Sequence, residues 1–109
     1  MTQSELDITV EELKAKLDRK ENIVILDVRN PPEREICRLE GSILIPLPEL
    51  PQRLGELDPN AEIVVHCRSG GRSLKATQYL REQGFSNVRN LKGGILAWAT
   101  QIDPTMPKY

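Results

Sequence analysis

The sequence predicts an α/β fold, a parallel sheet covered by helices. Two observations carry the prediction. Apolar runs of strand length, "NIVILDV" (22–28), "SILIP" (42–46), "EIVVHC" (62–67) and "NVRNL" (87–91), alternate with helical segments. The first of these runs is continuously apolar, as a strand covered on both faces requires. A chain of 109 residues with no repeat and no low-complexity tract is read as one domain, residues 1–109, long enough to bury its own core.

The elements follow in order. Thr9 and Glu12 have capping-box spacing, and Val10, Leu13 and Leu17 share one face, predicting a helix through "ITVEELKAKL". In "NPPEREICRLEG" Asn30 caps a short helix whose first turn holds the two prolines. "PELPQRLGEL" predicts a helix with Leu50, Leu54 and Leu57 inward, and Asp58–Asn60 a turn. The best-defined helix is "RSLKATQYLREQGF", with Leu74, Thr77 and Leu80 at helical spacing and Gly84–Phe85 fitting a Schellman stop. "GGILAWA" reads as a turn into a short helix, and the tail, residues 104–109, as extended.

Charge and cysteine count narrow the function classes. Fifteen Lys and Arg against sixteen Asp and Glu leave no global field to steer nucleic acid or an anionic membrane, so neither is expected as a partner. Two cysteines outside any CxxC pair and a single histidine supply no metal-ligand set, and neither metal nor organic cofactor is expected. The opening "MTQSELDITVEEL" is polar and acidic, unlike a secretory leader, and no apolar run approaches membrane length. A cytoplasmic, reducing compartment is therefore expected, in which Cys37 and Cys67 stay free.

Chemistry concentrates in "IVVHCRSGGRS" (63–73), where a strand ends in Cys67 and a helix begins almost at once. Ligands of open α/β sheets collect at the carboxyl ends of strands. Gly70 and Gly71 permit a turn whose N–H groups face inward as a nest, and the following helix adds its unpaired N–H groups. Arg68 and Arg72 supply cations, and Ser69 and Ser73 further donors. A thiol in such a cradle is stabilised as thiolate, the nucleophilic form. A buried, inert cysteine before a glycine turn is the plainer alternative.

"HCRSGGRS" resembles the active-site loop of the rhodanese family of sulfurtransferases. "ILDVRNPPEREICRLEGSILIPL" resembles its Asp-x-Arg segment, and "LKGGILAW" its closing Gly-Gly…Trp segment; the likeness covers roughly residues 6–103. The segment "PPEREICRLEGSILIPLPEL" and the ending "IDPTMPKY" are similar to the rhodanese domain found behind adenylyltransferases of molybdopterin, thiamine or tRNA sulfur supply. The resemblance implies a small, mostly parallel sheet of about five strands with helices on both faces. It implies that Cys67 takes sulfur from thiosulfate or a protein persulfide, holds it as a persulfide, and passes it to a nucleophilic acceptor. An adenylyltransferase or a ubiquitin-like sulfur carrier is an implied partner.

Related phosphatases and arsenate reductases use a longer loop, Cys-x5-Arg. Here Ser73 stands where their arginine would be, which favours a single sulfur over a tetrahedral oxyanion. A non-catalytic interaction or redox-sensing module is the other alternative. By the same resemblance Asp27 and Arg29 brace neighbouring loops. His66 alternates away from Cys67 and is expected as a hydrogen-bonded core histidine. Cys37 is expected as a packed thiol, with oxidative pairing to Cys67 as the alternative. Trp98 is expected in the core or under the loops.

Overall fold

The computed structural model describes residues 3–109, so Met1 and Thr2 of the opening segment lie outside the described residues. Five strands form one sheet in the order β1-β5-β4-β2-β3, and every pair is parallel. They are β1 (Asp7–Ile8), β2 (Ile23–Asp27), β3 (Ile43–Leu44), β4 (Glu62–His66) and β5 (Val88–Leu91). The helices are α1 (Gln3–Leu6), α2 (Val10–Asp18), α3 (Pro31–Ile36), α4 (Gly71–Glu82) and α5 (Gly94–Gln101).

Alternating side chains of the central strands sort into two cores. Leu26, Ile63, Val65 and Cys67 pack with Leu50, Ala76, Leu80 and Phe85, so α4 and the segment after β3 cover that face. Ile25, Val64 and Leu91 pack with Leu13, Ile95 and Trp98, placing α2 and α5 on the other. Parallel registry sets Asp27 beside His66 and Val65 beside Asn90, so the chain leaves β2, β4 and β5 at one edge of the sheet.

The capping box predicted at Thr9 forms. Thr9 Oγ1 accepts from the Glu12 N–H at 3.1 Å while Glu12 Oε1 accepts from the Thr9 N–H at 2.9 Å. The Schellman stop forms as well: Gly84 has φ +97°, Phe85 N–H donates to Leu80 O at 3.0 Å, and Gly84 N–H to Arg81 O at 3.2 Å. The buried face of α4 is Ser73, Ala76, Thr77 and Leu80, with Leu74 only half-buried.

Three expectations need correction, and one strand, β1, was not foreseen. Residues 47–56 form two 3-10 segments, Leu47–Gln52 and Leu54–Glu56, instead of an α-helix. Pro48 and Pro51 carry no N–H for an i→i−4 ladder, and Arg53, Glu56 and Leu57 donate three residues back. Leu50 and Leu57 nevertheless go inward. "SILIP" contributes only Ile43 and Leu44 to the sheet, as an edge strand. The two-residue β1 had no periodic signal. The tail is not simply extended: it turns at Asp103–Met106, where Met106 N–H donates to Asp103 O at 3.0 Å, and returns to place Tyr109 against the sheet edge.

Candidate active site

Cys67 leaves the end of β4 and is 1% exposed. Its carbonyl accepts from the Ile95 N–H, and the Arg68 carbonyl from the Leu96 N–H, both at 3.0 Å. The N-terminal amides of α5 thus consume the loop's first two carbonyls. The N–H groups that follow turn toward sulfur: Gly70 N–H lies 3.1 Å from Cys67 Sγ and Ser73 N–H 3.4 Å, with the Ser73 hydroxyl at 3.3 Å. Burial pushes the thiol up, but these donors, with the Ser73 hydroxyl foremost and the Ser69 amide added, outweigh it and hold the thiol below its ordinary value.

The two loop glycines are unequal. Gly70 has φ +118° and caps α4, a conformation that L side chains rarely adopt. Gly71 has no positive φ, and a Cβ there would meet nothing within 4 Å. The indispensable second glycine is Gly94, where φ is +62° and a Cβ would stand 2.7 Å from the Cys67 carbonyl oxygen and nearer still to the Arg68 carbonyl.

The loop cations also differ. Arg72 makes a two-pronged pair with Glu33 of α3, at 2.7 and 2.8 Å, and makes no bond to sulfur. Arg72 and further bonds hold the Glu33 carboxyl down to about 2, against the upward push of burial. Arg68 is exposed, and its Nε donates to the main-chain oxygen of Tyr109 at 2.5 Å. Ser69 is exposed too.

Asp27 and Arg29 form a fully buried pair: Arg29 Nε and Nη2 each reach an Asp27 carboxylate oxygen at 2.9 Å. Arg29 Nη2 also donates to Cys37 O at 2.7 Å, and Nη1 to the Tyr109 hydroxyl at 2.9 Å. The pair therefore ties the end of β2 to α3 and the tail. Burial drives the Asp27 carboxyl up, and its bonds from Arg29 bring it below the ordinary carboxylate value. His66 is fully buried, but the expected hydrogen-bonded core histidine is only half realised. Nδ1 lies 3.4 Å from Cys67 O, while Nε2 has no hydrogen-bond partner and sits 4.0 Å from Asp27 Oδ2. Burial foremost lowers its imidazole to about 4, which keeps it neutral.

Cys37 and Cys67 are both free and buried. Trp98 packs in the core with Leu13 and Ile95. Among the described residues no three His, Cys, Asp or Glu side chains cluster as metal ligands.

Sequence reasoning missed four residues of the site. Asn90 Oδ1 lies 2.5 Å from the Ser73 hydroxyl, whose one proton has both it and Cys67 Sγ as acceptors within reach, and Asn90 Nδ2 donates to Asp7 Oδ1 at 3.0 Å. Glu33, Tyr109 and Gly94 complete the set. Glu33 carried one legible signal, its three-residue spacing from Asn30, whose N–H it accepts at 3.1 Å. The Arg72 contact, 39 residues away, left no trace in the pattern.

Comparison with known proteins shows the family. The model of the rhodanese-like domain matches residues 9–101. A sulfurtransferase of Allochromatium vinosum is 37% identical over 93 residues, covering 85% of this chain and 87% of that protein. A probable adenylyltransferase/sulfurtransferase of Mycobacterium tuberculosis, MoeZ, is 38% identical over 94% of this chain, which spans only 26% of that protein. The human single-domain sulfurtransferase TSTD1 superposes with a TM-score of 0.79 at 26% identity, covering 88% of this chain and 96% of the other. From its parallel sheet to the amide-lined thiol at the end of β4, the chain belongs to the family of rhodanese-like domains.

Proposed function

We propose that this chain is a rhodanese-type sulfurtransferase in which Cys67 is the nucleophile and sulfur carrier. One observation carries the reading: two amide N–H groups and the Ser73 hydroxyl, whose proton Asn90 shares, converge on Cys67 Sγ within 3.4 Å. An inert buried thiol has no use for such a set, whereas a thiolate or a persulfide anion needs it.

In the first step the Cys67 thiolate attacks the outer sulfur of a donor. With thiosulfate the S–S bond breaks, sulfite leaves with the electron pair, and Cys67 keeps the transferred sulfur as a persulfide anion. An acceptor nucleophile then attacks that terminal sulfur, the Cys67–sulfur bond breaks, and the thiolate is regenerated. The Gly70 and Ser73 donors stabilise the negative charge in the resting and regenerated thiolate and as it builds on the persulfide. Gly71, Ser69 and the α4 amides complete the cradle. Asp27 and Arg29 act as a brace beneath it. Arg72 is paired with Glu33, away from the oxyanion-clamp role of a phosphatase arginine.

The donor in this reading is a small anion such as thiosulfate or a persulfide-bearing protein. The likeness to the adenylyltransferase/sulfurtransferase MoeZ supports an acceptor drawn from adenylyltransferase systems; a ubiquitin-like sulfur carrier as acceptor and a cytoplasmic setting belong to the same proposal. Intact mass after incubation with thiosulfate tests the chemistry. We expect a one-sulfur increment in the wild type and none in Cys67→Ala. An increment that survives Cys67→Ala refutes the assignment of Cys67. No increment with thiosulfate or a persulfide donor would favour the non-catalytic module.

A further inference from the structure

Tyr109 lies beyond the last helix, yet it meets the catalytic loop and its brace at five points. Its hydroxyl accepts from Arg29 Nη1 at 2.9 Å and donates to Glu33 Oε2 at 2.7 Å. Its main-chain oxygen accepts from Arg68 Nε at 2.5 Å. Two guanidinium groups lie over its ring, with Arg68 Cζ 5.3 Å and Arg29 Cζ 5.8 Å from the centroid, both within cation–π range. Among the described residues, the side-chain hydrogen bonds of the loop arginines end on Tyr109 or on Glu33, which Tyr109 itself braces.

Cys67, inside this arrangement, is 1% exposed as a residue. A donor cannot reach it in line while the loop keeps this position, so reaction requires the loop or its fastenings to give. Arg68 is the exposed cation one residue from the nucleophile, and it is occupied by the chain's own Tyr109.

We propose that Tyr109 is a selectivity residue of the Cys67 site. It is a strap that holds the loop closed and Arg68 occupied, and an anionic sulfur donor displaces it to reach the sulfur. The donor's negative group takes the place of the Tyr109 main-chain oxygen on Arg68. This rests on the reading of Cys67 as the sulfur acceptor. Tyr109 touches neither sulfur nor donor in the transfer itself, so it acts through the arginines.

The test measures two rates on the full chain: sulfur loading of Cys67 from thiosulfate, read by mass, and alkylation of Cys67 by neutral iodoacetamide. Tyr109→Ala keeps the main-chain oxygen but loses the hydroxyl and ring that hold it on Arg68, so it should load about three- to tenfold faster at low thiosulfate, the scale of one ordinary net hydrogen bond. The half-saturating thiosulfate concentration should fall while the limiting rate stays level, a split that a loss of packing alone does not produce. Alkylation should also accelerate. Tyr109→Phe keeps the ring, loses only the hydroxyl bonds to Arg29 and Glu33, and should fall between the two. Loading and alkylation by Tyr109→Ala at or below wild-type rates overturn the proposal. If that variant does not fold, Tyr109→Phe decides by the same criterion. If the wild type gains no sulfur at all, the sulfur-transfer reading fails, and the alkylation rates still decide the strap.

Discussion

Replacing Gly94 with alanine puts a methyl group where the loop's first two carbonyls are held. The new Cβ would stand 2.6 Å from the Arg68 carbonyl carbon and 2.7 Å from the Cys67 carbonyl oxygen, and both opposing atoms are backbone. No rotamer change relieves that overlap. The left-handed φ of +62° adds about 1–2 kcal/mol for any L side chain. The crowding adds about 1–3 kcal/mol if neighbours shift as overpacked cores do. A loss of about 2–5 kcal/mol is a large share of a domain's stability and lowers Tm by roughly 10 °C or more. The loop moves as well, because the Ile95 and Leu96 amides that hold it belong to the same turn. A misplacement of about 1 Å costs on the order of a hundredfold in rate. Gly71→Ala is the control: Gly71 has no positive φ and open space, so stability should be level or rise by up to about 1 kcal/mol. Thermal melts and sulfur loading on both variants check the pair. Gly94→Ala with wild-type Tm and loading rate would refute the reasoning, as would Gly71→Ala failing in its place.

Two further outcomes follow from the site. Ser73→Ala removes the hydroxyl 3.3 Å from Cys67 Sγ, so the thiol moves back up and loading at neutral pH falls about tenfold, the scale of one hydrogen bond to a charged group; alkylation rate against pH reads the shift, and an unmoved midpoint contradicts it. His66 is held neutral by burial, down to about 4 from 6.5. The unfolded state therefore takes the proton first, and the stability is fully present above pH 6.5 and lost as pH falls toward 4, by at most about 3 kcal/mol. Urea midpoints across that window should fall with pH in the wild type and less steeply in His66→Phe; equal slopes count against the assignment.

The strand–helix alternation, the capping box at Thr9 and Glu12 and the Schellman stop at Gly84–Phe85 were legible because each is a local rule. Spacing along a few residues decides it, and the parallel sheet follows from covering continuous apolar strands. Where local rules conflicted, the reading slipped. Leucine periodicity across 48–57 predicted an α-helix, and the missing N–H groups of Pro48 and Pro51 made it 3-10. The Ser73–Asn90–Asp7 chain was invisible because sheet registry alone puts Asp7 beside Asn90 across 83 residues.

By itself the sequence determined the candidate thiol and its cradle. Cys67, Gly70 and Ser73 lie within seven residues, and a strand end followed by a helix start brings their donors to sulfur with no help from distant chain. Tertiary structure alone decided how that cradle is held and covered. Gly94 supplies the close approach that fixes the loop, Glu33 takes Arg72, and Tyr109 crosses from the tail to Arg68 and Arg29. Those contacts join residues from 26 to 80 positions apart. Such pairings depend on which strands neighbour one another and where the tail turns, and no local spacing encodes them.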